Sequence, residues 1–253
     1  MTLQDLIAAL ELSASCRVDQ RIPKKLLVEN GAPTAADKRN ITDGIEEIQW
    51  VATLKPSTIG VPEYRDEICE YLEIAVIHIE LRQDAKAGRI AELTHRAVPY
   101  PLLLLLTAQD KLILSMSHIR WAQNEADKVV LDGEPVAVSL NEQNASMDVH
   151  SAFLQALSIT YQPRENLKVL YQGWLDTLVA YQASLITGTF TLSQTNEQAA
   201  ARRAGLLACR EIEQQIASLR SAAVKEKQLA RQVAMNLEIK QLQAKQQQAS
   251  LLL

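Results

Sequence analysis

The sequence NEQAAARRAGLLACREIEQQIASLRSAAVKEKQLARQVAMNLEIKQLQAKQQQAS (residues 196–250) decides the architecture predicted for this chain. It contains no proline and one glycine, Gly205, and consists mainly of strong helix formers. Positions spaced alternately three and four residues apart form the heptad repeat of a coiled coil. They are Cys209, Ile212, Ile216, Leu219, Ala223, Glu226, Ala230, Val233, Leu237, Lys240 and Ala244. This pattern predicts one continuous helix about 80 Å long.

A second heptad repeat precedes this segment and is predicted to pair with it. The repeat consists of Leu167, Tyr171, Trp174, Leu178, Tyr181 and Leu185 and ends near Gly188. The short connection favours an antiparallel helical hairpin. The first helix, about 35 Å long, covers the second only as far as Ala223. The rest of the long helix is therefore predicted to protrude and to bind a partner protein or a second copy through Glu226, Ala230, Val233, Leu237, Lys240 and Ala244.

The first 140 residues predict an α+β domain with a mixed or antiparallel sheet and helices that cover one face. The clearest strand pattern runs over residues 71–81, where β-branched residues fill both faces, so this strand is expected to lie centrally in the sheet. Helices are also predicted over 2–12, after Pro23 and over 85–97, and strands over 50–54, 102–106 and 112–118.

Local signals add finer expectations. A cap at Thr34 opens a helix whose buried face continues through Ile41, Ile45 and Ile48. Three turns are predicted to join strands: at 55–56 before a strand over 58–61, at 109–111, and at 132–133 between strands over 128–131 and 136–140. The predicted organisation is an α+β domain (1–140), a linker with a short helix over 149–159 (141–162), and a coiled-coil hairpin (163–253).

Composition limits the class of protein. The chain has 253 residues, of which 47% are hydrophobic and 22% charged, which is enough apolar material for a core. Its net charge of -4 provides no global basic field for nucleic acid or anionic lipid. The three cysteines form no C-x-x-C pair, the start has no basic region before an apolar run, and no apolar run is long enough to span a membrane. A cytoplasmic protein that does not contact membranes is expected.

Several residues have side chains of the kind found in catalytic or metal sites. His78 and Glu80 fall on one face of the central strand, as an acid–base pair or two metal ligands would, but also as the polar end of a strand would. His95 and His118 lack a third ligand at a recognisable spacing. Cys16 beside Arg17 fits a reactive thiol or, more simply, a buried structural cysteine.

A restriction-type, metal-dependent nuclease needs an acidic residue and then a Glu-x-Lys or Asp-x-Lys motif on adjoining strands. Glu73 and Glu80 supply the acids, but this strand has no such lysine. Glycine-rich phosphate loops and the Gly-x-Ser-x-Gly elbow of serine hydrolases are absent from the sequence. No cofactor, metal or catalytic residue is predicted.

Six cations within 23 residues form a basic cluster in the N-terminal part of the chain: Arg17, Arg21, Lys24, Lys25, Lys38 and Arg39. Cations that converge on one side of a domain would contact DNA phosphates. Asp19, Glu29 and Asp37 lie among them, so a solvated surface is the simpler interpretation.

Several motifs together resemble an uncharacterised bacterial family that is defined as a domain of unknown function. They are Arg21-Ile-Pro-Lys-Lys-Leu-Leu27, Thr34-Ala-Ala-Asp-Lys38, Ile48-Gln-Trp50 with Leu54-Lys-Pro56, Ala97-Val-Pro-Tyr-Pro101, Leu170-Tyr-Gln-Gly-Trp174 and Gly188-Thr-Phe190. Members of this family are often encoded beside DNA methyltransferases and helicases of restriction or phage-defence loci. The resemblance implies a subunit that works with such enzymes, and it assigns no catalytic residue.

Three functions remain. The first is a non-catalytic adaptor or scaffold subunit of a bacterial DNA restriction-modification or phage-defence assembly, which binds a protein such as a DNA methyltransferase or helicase, or self-associates, through the C-terminal helix. The second is a DNA-contacting module that uses the basic cluster. The third is a divalent-metal-dependent nuclease.

Overall fold

The computed structural model describes residues 1–109, 111–123, 128–140 and 145–253. This part of the chain forms two compact units, Met1–Leu178 and Val179–Leu253. The helices of the first unit are α1 (Leu3–Ala9), α2 (Lys24–Gly31), α3 (Ala35–Gly44), α4 (Pro56–Ile59), α5 (Ala87–Ala97), α6 (Met147–Ala156) and the first part of α7 (Leu167–Thr187). The second unit contains the end of α7, α8 (Asn196–Lys225) and α9 (Leu229–Ser250).

The strands of the first unit are β1 (Arg17–Arg21), β2 (Ile45–Leu54), β3 (Tyr64–Arg65), β4 (Glu70–Tyr71), β5 (Ile74–Leu81), β6 (Leu102–Ala108), β7 (Lys111–Trp121) and β8 (Val129–Ser139). Among the described residues, six of them form one sheet in the order β1-β2-β5-β6-β7-β8, while β3 and β4 form a separate hairpin. β5 and β6 are parallel and are joined through α5, whereas the other neighbours are antiparallel. The predicted mixed α+β architecture is confirmed.

The core lies on both faces of the sheet because β5 and β6 carry apolar residues on both faces along most of their length. On one face Ile77 and Leu104 pack with Leu27, Ile41 and Ile90 from α2, α3 and α5. The alternate residues of the same strands, including Val76, Leu103, Leu105 and Met116, are equally buried and point the other way. The prediction that helices cover one face is therefore too narrow, whereas the central position of β5 is confirmed.

α7 contacts the second face of the sheet through Tyr171. Its hydroxyl group accepts a hydrogen bond from the Ser117 amide (3.0 Å) and donates one to the Leu102 carbonyl (2.8 Å). Three residues further on, the indole nitrogen of Trp174 donates to the Leu157 carbonyl (2.8 Å). Both side chains are fully buried, so the heptad positions of the first half of α7 belong to the core of the first unit.

Some local predictions are wrong. The Thr34 hydroxyl does cap α3, by accepting from the Asp37 amide (3.1 Å), but the helix ends at Gly44. Ile45 and Ile48 lie in β2, because pairing with β5 satisfies their backbone while their side chains stay buried. Residues 56–59 form helix α4 instead of a strand, since Pro56 begins a helical turn.

β8 differs from its predicted hairpin. It continues through Asp132 and Gly133 as one strand paired with β7, and a register shift near Met116 and His118 accommodates the turn-like residues. The predicted turn at 109–111 and linker at 141–148 fall partly outside the described residues. The domain boundaries predicted at 140 and 162 stay predictions. The first compact unit ends at Leu178, and the second begins at Val179.

The second unit corrects the most important prediction, because residues 196–250 form two helices. The backbone leaves the helical conformation at Glu226 (φ -74°, ψ 131°), and α9 folds back antiparallel on α8. This return buries Ile239 and Leu242 against Ile216, which one continuous helix would leave in water. The partner of α8 predicted from sequence was α7; the partner along its length is α9.

Candidate functional site

The α8–α9 hairpin is held by contacts that advance seven residues at a time. The Arg202 guanidinium donates to the Leu253 carbonyl (3.0 Å), and the Cys209 thiol lies 3.9 Å from the Gln246 backbone carbonyl oxygen. Further along the hairpin, Ile216 packs with Ile239, and the side-chain amide of Gln232 donates to the Ala223 carbonyl (3.0 Å). A Cβ atom on Gly205 would lie 3.2 Å from the Ala249 carbonyl oxygen, so this glycine permits close packing of the helices. The heptad positions of α8 therefore face α9, and the contacts of α9 follow a different register from the predicted one.

The residues of α9 that face α8 are shifted by two positions from the predicted repeat. They are Gln232, Met235, Ile239, Leu242, Gln246 and Ala249, all half-buried or buried. Glu226 and Lys240 interrupt the predicted repeat with charge, and these two residues were the sequence signal that it is not a buried seam. Both repeats have heptad spacing, so spacing alone could not choose between them.

The predicted partner-binding residues consequently lie on the outside of the hairpin. Glu226 is half-buried in the turn, where its carboxylate accepts a hydrogen bond from the Gln228 amide (2.9 Å). Ala230, Val233, Leu237, Lys240 and Ala244 are exposed, and on a helix they share one face that points away from α8. We call these five residues the α9 stripe. Val233 and Leu237 expose 50% and 57% of their surface.

The basic cluster is spread over three elements, with Arg17 and Arg21 on the edge strand β1, Lys24 and Lys25 on α2, and Lys38 and Arg39 on α3. Three of these cations have partners: Arg21 pairs with Glu47 (3.7 Å), Lys25 pairs with Glu29 (3.4 Å), and Lys24 donates to the Ile45 carbonyl. Arg17, Lys38 and Arg39 are exposed. The local ion pairs reduce the positive potential that the sequence suggested.

The acidic residues proposed for a nuclease do not converge. Glu73 precedes β5 and pairs with Lys55 (3.0 Å), while Glu80 lies at the opposite end of that strand, about 23 Å away at the usual rise per residue. Within the described ranges, no group of three or more histidine, cysteine, aspartate or glutamate side chains is placed to hold a metal ion. Glu73 and Glu80 therefore cannot share one cation.

His78, His95 and His118 occupy three separate places. His78 contacts the Thr107 hydroxyl (2.8 Å), and His95 contacts the Ser115 hydroxyl (3.0 Å) under α5. His118 accepts a hydrogen bond from the Tyr71 hydroxyl and donates to the Gln172 amide oxygen (2.7 Å). Burial lowers the pKa of all three imidazoles, so each is a neutral structural group.

Acid should destabilise the first unit through His95. Burial lowers its pKa from 6.5 to about 4, so the unfolded chain binds a proton that the folded chain does not. Stability should therefore fall as the pH drops from 6.5 towards 4, by about 3 kcal/mol from this residue. Urea unfolding at several pH values measures the slope, which His95→Gln should flatten. An unchanged slope in His95→Gln would show that His95 is not responsible.

A partly buried ion pair joins α3 to α5 and was not predicted from the sequence. Both carboxylate oxygens of Asp37 accept hydrogen bonds from Arg89 (2.8 and 2.9 Å), and Arg89 also donates to Glu92 (2.7 Å). These hydrogen bonds, with that from Thr34, lower the pKa of Asp37 to about 2. Asp37 was considered only as an acidic residue among the cations of the basic cluster, but it has a structural role. The ion pair could not be found from the sequence because Asp37 and Arg89 are far apart in the chain.

A cleft of about 870 Å³ lies between α5 and β8 and was also not predicted. Its walls carry charges of both signs, from Glu92, Arg96, Lys128 and Glu134.

Cys16, Cys69 and Cys209 are free and buried, which favours the structural interpretation of Cys16. Over the described ranges, no helix combines the length and hydrophobicity needed to cross a bilayer.

The comparisons with known proteins identify a family but no function. The family model described as Domain of unknown function (DUF4391) matches residues 10–245, nearly the whole chain. No match was found among the curated proteins or among the solved structures. The expectation of an uncharacterised family is confirmed, and this chain belongs to the DUF4391 family.

Proposed function

We propose that this protein is a non-catalytic interaction subunit, and that the α9 stripe is its docking surface for a partner protein. The observation that carries the proposal is the exposure of Val233 and Leu237 on the face of α9 opposite to α8. A helix that already buries one face normally places polar residues on the other. An exposed apolar stripe with heptad spacing is what a further helix can pack against.

The assembly that we propose is a bacterial restriction-modification or phage-defence complex that contains a DNA methyltransferase or a helicase. This context rests on the resemblance to a family encoded beside such enzymes. A hairpin on a separate compact unit suits an adaptor, because it offers a long surface without disturbing the sheet core.

The experiment is co-purification of the chain with a DNA methyltransferase and with a helicase of a restriction or phage-defence locus. The double variant Val233→Ser/Leu237→Ser should lose at least tenfold in affinity, because two apolar contacts are removed. Leu207→Ser is the matched control, since Leu207 is similarly exposed on α8. Equal binding by wild type and the double variant would reject the α9 stripe as the docking surface.

A second candidate is contact with DNA through the basic cluster. The exposure of Arg17, Lys38 and Arg39 favours it. Replacing these three residues with glutamine should reduce the slope of log affinity for duplex DNA against log salt by up to about 3. An unchanged slope, or no binding by wild type at 50 mM salt, would remove this candidate.

A further inference from the structure

The first unit exposes an apolar surface around the turn that joins α5 to β6. Pro99 and Tyr100 in this turn line an apolar pocket on one side, together with Leu26 and Trp50. On the other side the same two residues line a smaller depression with Leu72 and Trp121. We call these six residues the Tyr100 surface. Half-buried tryptophan and tyrosine beside exposed leucine in one patch are typical of the centre of a protein–protein interface.

The pocket beside Trp50 fits one apolar side chain. Its volume is about 190 Å³, and its lining is almost entirely aliphatic or aromatic, with Ile22, Ile48 and Ile77 at the sheet. A cavity of about 150 Å³ accommodates benzene, so this pocket has room for an isoleucine, leucine or phenylalanine side chain. The Trp50 indole nitrogen donates to the Ala52 carbonyl (3.0 Å), which fixes the ring that lines the pocket.

A suitable side chain projects from the opposite side of the same surface. Ile68, at the tip of the β3–β4 hairpin, is 61% exposed. Its backbone is fixed at both ends: the Asp66 carboxylate accepts from the Ile68 amide (2.8 Å), and the Ile68 carbonyl accepts from the Trp121 amide (2.8 Å). An exposed apolar side chain on a rigid tip loses little entropy when it enters a pocket.

We propose that the occupant of this pocket is Ile68 of a second copy, so that the Tyr100 surface forms a two-fold symmetric homodimer. A two-fold interface uses one patch on both subunits, and it therefore requires a projection and a matching pocket on the same patch. Trp121 donates a backbone hydrogen bond to Ile68 and lines the smaller depression together with Tyr100. Tyr100 also lines the pocket, so these two residues lie between Ile68 and the pocket.

The charges beside the two features are complementary. Glu67 is exposed next to Ile68 on the hairpin tip. Arg21 and Lys25 lie next to Ile22 and Leu26, which line the pocket. Their side chains stay 71% and 81% exposed although they pair with Glu47 and Glu29. In the dimer the acidic tip of each copy approaches the basic rim of the other, and this favours a second copy over an unrelated partner. The interface lies in the first unit and is independent of the α9 stripe.

Analytical ultracentrifugation of the full chain from 2 to 200 µM tests the proposal. Wild type should sediment as a monomer–dimer equilibrium, and Ile68→Asp and Leu26→Asp should each weaken the dimer at least tenfold. Met147→Asp is the control, because Met147 is 86% exposed away from this patch, and it should dimerise like wild type. Circular dichroism confirms that each variant is folded.

A charge exchange sharpens the test. Glu67→Lys and Lys25→Glu should each weaken the dimer, and the double variant should recover part of the loss because the opposite charges meet again. A wild-type monomer at every concentration would overturn the proposal. So would a dimer that survives both Ile68→Asp and Leu26→Asp, or one that is lost only in Val233→Ser/Leu237→Ser.

Discussion

Trp174→Ala should lower the free energy of unfolding of the first unit by about 3–5 kcal/mol, the range for deleting a large buried aromatic side chain. Trp174 is fully buried, and its indole donates a hydrogen bond to the Leu157 carbonyl. The alanine variant therefore leaves a cavity and a carbonyl group without its partner. This tryptophan couples α7 to the segment that follows α6, so the effect should be cooperative.

Urea denaturation followed by circular dichroism measures this change. Trp174→Phe, which keeps most of the volume but loses the hydrogen bond, should cost less than the alanine variant. Tyr161→Ala is a useful control because Tyr161 is largely exposed, and its effect should stay near 0.5 kcal/mol. A loss below about 1.5 kcal/mol for Trp174→Ala would mean that α7 does not depend on this contact.

Ile239→Asp should separate α9 from α8. Ile239 is buried with Ile216 and Leu242 at the centre of the hairpin, and an aspartate there would place an unpaired charge in an apolar contact. Since most of the stability of a helix in a protein comes from the packing of one of its faces, α9 should largely unfold. Hydrogen exchange of the α9 amides should become fast while the sheet amides stay protected.

Leu237→Asp is the matched control, two residues away on the exposed face. It should leave the exchange of α9 unchanged, because its side chain does not contact α8. If Leu237→Asp were the disruptive variant and Ile239→Asp harmless, the seam would follow the register predicted from the continuous repeat and the hairpin would be wrong.

The fold could be predicted where a sequence pattern is compatible with one structure only. β5 and β6 contain apolar residues on both faces, and only a central strand buries both. Prediction failed where a pattern had two solutions. Ile41, Ile45 and Ile48 suit a continued helix, yet pairing of β2 with β5 decides their state. In α9 two heptad registers exist, and only the position of the turn at Glu226 selects the one that contains Ile239.

The candidate surfaces show the same limit. The residues of the α9 stripe were identified from their heptad spacing, although the sequence predicted them on the protruding end of one long helix. The Tyr100 surface could not be predicted, because Leu26, Trp50, Tyr100 and Trp121 come from four separate elements. Only the sheet order brings them together. The basic cluster was found by counting charged residues in the sequence. Such a count does not show which cations form ion pairs, as Lys25 does with Glu29.

α9 folds back on α8, and this fold turns Val233 and Leu237 outward as the proposed docking stripe. A disulfide tests it directly, because Cys209 lies beside Gln246 across the hairpin. On mild oxidation Gln246→Cys should form an intramolecular disulfide with Cys209, while Ala244→Cys, on the exposed face, should not. A single continuous helix would hold residues 209 and 246 about 55 Å apart, so failure of Gln246→Cys to crosslink while the chain remains helical would contradict the hairpin and the docking surface that depends on it.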